Sequence, residues 1–332
     1  MNLEEVAKLA KVSTATVSRV LNDVGPVKKS TRARVLKAAE ELKYHPNLHA
    51  RTLAGGKSRT IGLIVSNMEN PFFVDIYKTA ERLARANGFE VVVANTDYRS
   101  EHLMSEIRLM MGRRVKGLAL VISEMDPALI QELSESGIPV VFYDVGTPRH
   151  NLSNIAVNYA KGIARVVNYL YDLGHRRMGF IGHHPNLGPL SVRESAFREC
   201  VEKKAPAIRW KIAVSSDSLE GGREATREVL ASGFDPTAII SVNDFMALGA
   251  LYELRQAGLR VPEDVSVTGF DNIRLSEICW PPLTTLHIDR ERIGRLMFQL
   301  LTDASSSEAC RRKIVLDPEF VLRESTGPAK GR

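Results

Sequence analysis

From residue 60 onward, the chain alternates short apolar runs rich in β-branched residues with stretches of helical spacing. The runs fall into two sets of four, first TIGLIV, FEVVVA, VKGLALV and IPVVFYD, and then MGFIG, KIAV, AIISV and VSVTGFD. Apolar strands that alternate with helices are typical of parallel sheets covered by helices on both faces. Two sets of domain size therefore predict an α/β core of two doubly wound parallel-sheet lobes.

Polar side chains follow many of these runs, at the points where the strands should end. Asn95, Asp144, Asn243 and Asp271 are examples. In open α/β sheets, ligands bind beyond the carboxyl ends of the strands. Two lobes that face each other with such ends would form a cleft lined by hydrogen-bonding groups. No group in this set is an obvious catalytic residue, so the pattern indicates a binding site.

The first 58 residues have a different pattern, which predicts three short helices. Helical spacing links Leu3, Val6, Ala7 and Ala10 in the first helix, and Val17, Val20 and Leu21 in the second. Ser13 or Thr14 can cap the second helix. The third helix is predicted to have an apolar stripe of Val35, Leu36, Ala39 and Leu42. We therefore expect a small all-α headpiece before the α/β core.

Charge is divided unevenly between these two parts of the chain. Residues 1–60 contain twelve Lys and Arg and five acidic residues, a net charge of +7, whereas the whole chain has +6. The remaining residues therefore sum to −1. A basic segment on a nearly neutral body is typical of a nucleic-acid-binding module, although a solvated basic face would give the same count.

The spacing of residues 3–22 is that of a helix-turn-helix. Small Ala7 lets two helices cross closely, and Val12 and Val17 fill the crossing. The start of the second helix then projects hydroxyls and Arg19, groups that suit phosphate oxygens and guanine edges. Lys11 stands where many such turns have glycine, so we expect a strained turn there. Spacing alone leaves open a helical hairpin with a polar exposed face.

Several longer stretches of the sequence are more specific than this helix spacing. They are STATVSRVLN from Ser13, STRARVLKAAEELKYHPN from Ser30, ARTLAGGKSRTIGLIV from Ala50, NDFMALG from Asn243 and VPEDVSVTGFDN from Val261. In this order, over the whole chain, they resemble the lactose-repressor (LacI/GalR) family of bacterial transcription regulators. The resemblance implies a helix-turn-helix headpiece over 1–45, a hinge helix and linker over 46–58, and a periplasmic-binding-protein-like effector-binding core over 59–332. Its N-lobe would span about 59–158 and 288–316, and its C-lobe about 159–287 and 317–332.

The resemblance also implies DNA-binding residues by position. Thr14, Ala15 and Arg19 would read bases in the major groove of a pseudo-palindromic operator. Leu53 would insert into the minor groove at the operator centre, an apolar wedge that bends the DNA. Contacts to the DNA backbone are implied for Ser13, Thr16, Ser18, Asn22, Thr31, Tyr44 and Asn47.

The resemblance places an effector pocket between the lobes. The implied residues are Ser66, Asn70, Phe72, Phe73, Asp144, Arg193, Asn243, Phe245 and Asp271. One departure is Ala196, which stands where the family motif after the arginine usually has glycine. Carboxylates with an asparagine and an aromatic platform suit the vicinal hydroxyls of a sugar or sugar acid. Arg193, with Arg290, could instead hold a carboxylate or phosphate. For each residue, an interlobe hydrogen bond or a strand-end cap is the alternative.

The sequence thus predicts a homodimeric transcriptional regulator, expected to act as a repressor, whose operator affinity is controlled allosterically by a small-molecule effector. The alternative is a two-lobed solute-binding protein without a regulatory role. Three distant cysteines predict neither a disulfide framework nor a zinc site. No nucleophile motif or nucleotide fingerprint is present, so we expect no enzyme activity and no cofactor. The acidic N-terminus lacks a signal-peptide pattern, which predicts a cytoplasmic protein without membrane contact.

Overall fold

The computed structural model describes residues 2–21, 25–44, 58–123, 127–144, 151–183, 188–303 and 312–330. The chain divides into two compact units, Met1–Ser58 and Arg59–Arg332. The first unit is all-α, and the second is an α/β core. The two are described separately below.

Three helices build the first unit, the headpiece. They are α1 (Leu3–Leu9), α2 (Thr14–Leu21) and α3 (Lys29–Glu41). Asn2 and Glu5 form a capping box at the start of α1, because each side chain accepts the backbone N–H of the other. The Ser13 hydroxyl accepts the N–H of Thr16 at 3.2 Å, so Ser13 caps α2 as predicted.

The headpiece core is small and built mainly from alanine and valine. Its buried members are Val6, Ala7, Ala10, Val17, Val20, Val35, Ala38 and Ala39. Leu36 was predicted in the buried stripe of α3, and that prediction is wrong, since 49% of it is exposed. A helix turns about 100° per residue, so Ala38 shares the face of Val35 and Leu36 points away from it.

Six parallel strands form the sheet of the N-lobe, in the order β11-β5-β4-β3-β1-β2. The strands are β1 (Thr60–Val65), β2 (Glu90–Asn95), β3 (Gly117–Val121), β4 (Val140–Tyr143), β5 (Leu152–Val157) and β11 (Lys313–Leu316). The helices of this lobe are α4 (Pro71–Ala86), α5 (Ser100–Gly112), α6 (Pro127–Glu135) and α12 (Arg290–Thr302). Helix α12, late in the chain, packs against α4.

Four parallel strands form the C-lobe sheet, in the order β7-β6-β8-β9. They are β6 (Arg177–His183), β7 (Arg209–Ser215), β8 (Ala238–Ser241) and β9 (Ser266–Thr268). The helices are α7 (Tyr159–Asp172), α8 (Gly188–Glu202), α9 (Leu219–Ala231), α10 (Asp244–Gln256) and α11 (Leu275–Ile278). A two-stranded antiparallel sheet pairs β10 (Thr285–His287) with β12 (Glu319–Val321). The predicted fold class, a helical headpiece plus two parallel-sheet lobes, is confirmed.

Two glycines allow α9 and α10 to approach each other closely. A Cβ atom added at Gly222 would lie 2.1 Å from the carbonyl oxygen of Met246, and one at Gly249 would lie 2.1 Å from that of Leu219. Both obstacles are backbone atoms, which cannot move aside as a flexible side chain can. The position of α10, whose first turn follows Asn243, therefore depends on these glycines.

We predict that Gly222→Ala lowers the free energy of unfolding by about 1–3 kcal/mol, the usual cost of overpacking a close contact. Gly112→Ala is the matched control, because a Cβ at Gly112 meets no heavy atom within 4 Å. That substitution should leave stability unchanged or raise it slightly, since alanine favours the helix. Urea denaturation of both variants measures the difference. Equal stability of the two variants would contradict the close-approach argument.

Candidate functional site

Helix α2 presents an exposed polar surface opposite the headpiece core. Thr14, Ala15 and Arg19 are exposed, whereas Val17 and Val20 are buried. Burial of the valines fixes which face of α2 points outward. The three residues predicted to read bases are thus available on the surface of a rigid helix.

The other predicted DNA-binding residues have varied environments. The hydroxyls of Ser13 and Thr16 lie 2.9 Å apart at the start of α2. Thr31 is half-buried, and Tyr44 is half-buried against the headpiece core. Ser18 is also half-buried. The predictions for Asn22, Asn47 and Leu53 fall outside the described residues.

A cavity lies in the core, at the carboxyl ends of strands from both lobes. Its lining comprises Asn70, Phe72, Phe73, Tyr98, Val121, Ile122, Ser123, Tyr143, Arg193, Asp217, Asn243 and Asp271. Six of the nine predicted effector residues are in this set. The structure therefore brings Asn70, Phe72 and Phe73 of the N-lobe together with Arg193, Asn243 and Asp271 of the C-lobe.

Arg193 is the buried cation of this cavity. Its guanidinium carbon lies 4.6 Å from the ring centroid of Tyr159 and 4.4 Å from that of Phe270. Nη1 donates to the carbonyl oxygen of Val242 at 2.6 Å, and Nη2 donates to the Tyr159 hydroxyl at 3.3 Å. Two aromatic rings and two oxygens thus hold the plane of the guanidinium in one orientation.

Asp271 faces this guanidinium from the end of β9. Its Oδ1 lies 3.4 Å from Nη2 of Arg193, and the two side chains are 4% and 5% exposed. Among the described residues, Oδ1 of Asp271 and Nε of Arg193 have no hydrogen-bond partner. Burial raises the pKa of Asp271 to about 8, an effect that the nearby Arg193 only partly offsets. The pair is therefore incompletely satisfied and lies on the cavity wall.

Asp217 and Tyr98 also line the cavity, and the sequence analysis missed both. Oδ1 of Asp217 accepts a hydrogen bond from Asn243 at 2.7 Å, and Oδ2 accepts one from the Tyr98 hydroxyl. Asn67 donates to the Asp217 carbonyl oxygen at 2.9 Å. Because Tyr98 and Asn67 belong to the N-lobe and Asp217 to the C-lobe, these contacts join the lobes. Each residue lies shortly after a strand, so the strand-end rule could have found them.

The first turn of α4 supplies the aromatic part of the cavity. Asn70 caps the helix, since its Oδ1 accepts the N–H of Phe72 at 3.1 Å. The rings of Phe72 and Phe73 meet edge to face at 5.4 Å, and Phe72 lies 5.5 Å from the ring of Tyr143. The cap thus orients the two phenylalanines. Asn70 is therefore both the helix cap and a cavity-lining residue. Asn243 has the same dual position, because its Oδ1 accepts the N–H of Met246 at the start of α10.

Three predicted effector residues do not line the cavity among the described residues. Ser66 is fully buried, and its hydroxyl accepts the N–H of Ser123 at 2.9 Å. Asp144 accepts hydrogen bonds from the N–H of Val157 and the hydroxyl of Tyr159, and burial raises its pKa to about 6. Phe245, in the first turn of α10, is buried and 7% exposed. These side chains support the cavity wall from behind.

Arg290, considered above as an anion ligand, is occupied elsewhere. Its guanidinium donates to the carbonyl oxygen of Asp271 and, at 2.8 Å, to that of Asn272. Its Nε lies 3.2 Å from a carboxylate oxygen of Asp75 on α4. Arg290 therefore ties the backbone beside Asp271 to the N-lobe and leaves Arg193 as the cavity cation.

Two features are absent from the part of the chain that the structure describes. No group of three or more histidine, cysteine or acidic residues there could hold a metal ion. No helix there is long and apolar enough to cross a membrane.

The raised pKa of Asp271 predicts a pH dependence of stability. The folded protein holds this proton up to about pH 8, whereas the carboxyl ordinarily ionises near 3.8. The folded state therefore binds more protons in this window, and stability falls as the pH rises through it. Asp144 and Asp244, whose pKa values burial raises to about 6, act in the same direction at lower pH. Asp271→Asn should thus flatten the decline between pH 6 and 8.

Thermal unfolding of the ligand-free protein at pH 6, 7 and 8 measures this decline. Asp317→Asn is the control, because the pKa of this exposed carboxyl is lowered by Lys161 and it stays ionised throughout the range. Its decline should match that of the wild type. An undiminished decline in Asp271→Asn would show that Asp271 does not titrate in this window.

Comparison with known proteins places this arrangement in a family. Residues 2–47 match the model of bacterial regulatory proteins of the lacI family, and residues 167–326 match a periplasmic binding protein-like domain. An HTH-type transcriptional repressor PurR of Vibrio campbellii is 34% identical over 332 residues, covering 97% of this chain and 98% of the relative. The PurR repressor of Photobacterium profundum is 31% identical, with the same coverage.

Solved structures agree with this assignment. A lac repressor dimer bound to operator and the anti-inducer ONPF matches with a TM-score of 0.85 and 28% identity, covering 98% of this chain and 99% of that one. A complex of the transcriptional regulator CelR with cellobiose matches with a TM-score of 0.71 and 29% identity at the same coverage. The chain belongs to the lacI family of bacterial regulatory proteins, and it is a DNA-binding transcriptional regulator with an effector-binding core.

Proposed function

We propose that this regulator is a homodimeric repressor whose operator affinity is set by a neutral sugar bound in the cavity between the lobes. One observation carries the choice of ligand: Nε of Arg193 and Oδ1 of Asp271 are buried on the cavity wall without hydrogen-bond partners among the described residues. A buried polar atom left unpaired costs about 1–3 kcal/mol. A ligand that pairs both atoms therefore gains affinity from the protein's own unsatisfied groups.

Vicinal hydroxyls match this pair. A hydroxyl group both donates and accepts, so one can donate to Oδ1 of Asp271 while a neighbouring hydroxyl accepts from Nε of Arg193. Asn243 and Asp217, on the same wall, add further hydrogen-bonding groups. A single carbonyl or amine could satisfy only one of the two unpaired atoms.

The opposite wall suits the apolar face of a sugar ring. Phe72 and Phe73 present an edge-to-face aromatic pair to the cavity, and Tyr98 adds a third ring. Ligand pockets commonly combine such apolar walls with a few placed polar groups, where the polar groups fix the orientation. The lining thus combines aromatic rings with hydrogen-bonding groups.

Charge favours a neutral sugar over a sugar acid or sugar phosphate. The lining contains one cation, Arg193, and two acidic side chains, Asp217 and Asp271, so it has no excess positive charge for an anionic ligand. Since Arg290 donates to backbone carbonyls and Asp75, it adds no free cation for an anionic ligand. Similar regulators bind sugars in their solved structures: CelR is in complex with cellobiose, and a LacI family regulator of Enterococcus faecium, at 25% identity and a TM-score of 0.71, has bound ribose.

An exposed apolar segment of the C-lobe supports the homodimer. Leu275 and Ile278 are the first and last residues of α11, and Trp280 lies two residues after it. Their exposed fractions are 37%, 73% and 83%. Large apolar side chains grouped on a surface mark protein–protein interfaces. A symmetric dimer presents two headpieces at a fixed separation, which matches two operator half-sites. Effector binding would favour one lobe arrangement and so change how well both headpieces fit.

A ligand panel tests the effector class. Isothermal calorimetry with neutral monosaccharides and disaccharides, sugar acids and sugar phosphates should give binding among the neutral sugars, and the bound sugar should alter a band shift on operator DNA. Asp271→Ala should remove binding, because it takes away the side-chain oxygens to which ligand hydroxyls would bond, whereas Asp317→Asn should bind normally. Preferential binding of sugar phosphates would contradict the charge argument.

The recognition helix gives a second test. We predict that Arg19→Ala weakens binding to the preferred operator by about 1–3 kcal/mol, the usual value of one base-specific contact. Affinity for random DNA should change much less, so the ratio of specific to non-specific binding falls. Fluorescence anisotropy on both duplexes measures this ratio. Equal losses on the two duplexes would show that Arg19 contacts only the DNA backbone.

A further inference from the structure

The N-lobe carries a group of basic side chains at the amino ends of its strands. Because β1, β2, β3 and β11 run parallel in one sheet, the residues that precede or begin them lie along a single edge. The group, called here the amino-edge cluster, comprises Arg59, Arg113, Arg114, Lys116, Arg312 and Lys313. This edge is opposite to the strand ends that form the effector cavity.

Neighbouring strands bring the cations of this cluster close together. The guanidinium carbon of Arg59 lies 6.0 Å from the ring centroid of Phe89, and Nζ of Lys116 lies 5.5 Å from the same centroid. The backbone N–H of Lys116 donates to the carbonyl oxygen of Thr60 at 2.7 Å, which fixes the two chain segments side by side. Two positive charges thus lie over one aromatic ring.

The cluster lacks ion-pair partners among the described residues, although ion pairs are frequent elsewhere in the core. Arg82, Arg223 and Arg260, for example, each pair with a carboxylate at 2.6–3.1 Å. None of the six cluster residues forms such a pair in the described parts of the chain. Among the described residues, the carboxylates at this edge are Glu90, Glu135 and Asp303, three against six cations. The edge therefore keeps an excess positive charge.

Arg114 has a left-handed backbone conformation that disfavours residues with a Cβ atom. Five core helices are followed, two residues after their last residue, by a glycine with positive φ: Gly88, Gly137, Gly174, Gly233 and Gly258. At the same position after α5 stands Arg114, with φ +53°. A left-handed residue with a Cβ costs about 1–2 kcal/mol relative to a conformation it prefers. In the headpiece, Lys11 and Lys43 have φ +50° and +47°. Cations thus occupy positions where glycine would favour stability.

The chain connects this edge directly to the DNA-binding unit. Arg59 is the first residue of the core, immediately after Ser58 at the end of the headpiece unit. In the sequence, thirteen residues separate Tyr44 from Ser58, and a chain of that length spans at most about 45 Å. We propose that the amino-edge cluster contacts phosphates of the DNA that flanks the operator. The contact would add affinity without adding sequence preference.

The proposed phosphate contacts should increase the salt dependence of DNA binding. Each phosphate contact contributes about −0.9 to the slope of log K against log salt. The double variant Arg113→Gln, Arg114→Gly should therefore reduce the slope by up to about 1.8. Over a fourfold rise in salt, this corresponds to a change of about twelvefold in relative affinity. Arg114→Gly also places glycine at the left-handed position, so the variant should be at least as stable as the wild type and unfolding cannot account for a loss.

The experiment uses the full chain and a site that the wild type selects from random DNA. Anisotropy titrations at 50–200 mM salt compare a duplex trimmed to the site with one extended by flanking DNA on both sides. The double variant should lose affinity and slope on the extended duplex and match the wild type on the trimmed one. Arg209→Gln, an exposed arginine at the amino end of β7 in the C-lobe, is the control and should behave as wild type.

Two results would overturn the proposal. One is an unchanged slope for the double variant on the extended duplex, and the other is an equal loss on both duplexes, which would place the effect inside the operator. The proposal rests on DNA binding by the headpiece, but the two fail separately. A wild-type chain that selects no site would defeat the proposed repressor, whereas a variant with wild-type slopes defeats only the flanking contact.

Discussion

The buried pair of Arg193 and Asp271 is the interaction on which the core depends most. Burying a guanidinium beside an acidic side chain is expensive, and burial accordingly raises the pKa of Asp271 to about 8. Two aromatic rings, the carbonyl of Val242 and the hydroxyl of Tyr159 hold the arginine, while Oδ1 of Asp271 and Nε of Arg193 make no hydrogen bond to any described residue. The protein thus keeps a local instability on the wall of a cavity. A ligand that forms hydrogen bonds with these two atoms therefore binds more tightly.

Residues beside this pair also form the contacts that join the two lobes. The carbonyl of Asp271 accepts a hydrogen bond from Arg290 on α12, whose Nε reaches Asp75 on α4. Across the cavity, Asp217 accepts a hydrogen bond from Tyr98 and its backbone one from Asn67. Contacts from both lobes therefore converge on two C-lobe carboxylates. A ligand that competes for these groups changes the balance between lobe arrangements, which is the physical requirement for allosteric control.

Much of this architecture could be predicted from the sequence, because the signals were periodic. Alternating strands and helices identified both lobes, and polar strand ends located the cavity. Single side-chain directions were harder. Asp144 follows β4 directly, yet its φ of +59° turns the residue so that its carboxylate meets the N–H of Val157, while the preceding Tyr143 lines the cavity. Tyr98 lies three residues after β2 in a left-handed loop. Neither loop conformation has a periodic signal, so propensity could not place these side chains.

The polarity of the parallel sheet separates the two ends of the N-lobe. In β1, Thr60–Val65, the residue before the strand is Arg59 at the amino edge and the residue after it is Ser66, behind the cavity. Six residues at about 3.3 Å each place these ends about 20 Å apart. The strands between them are buried and tightly packed, so a ligand cannot deform them gradually. A change at the cavity must therefore reach the amino edge by rotation of the whole lobe, and a rotation moves every residue of that edge together. Because all residues of the edge move together, several cations along it can act at once on an extended polyanion, which a single cation cannot do.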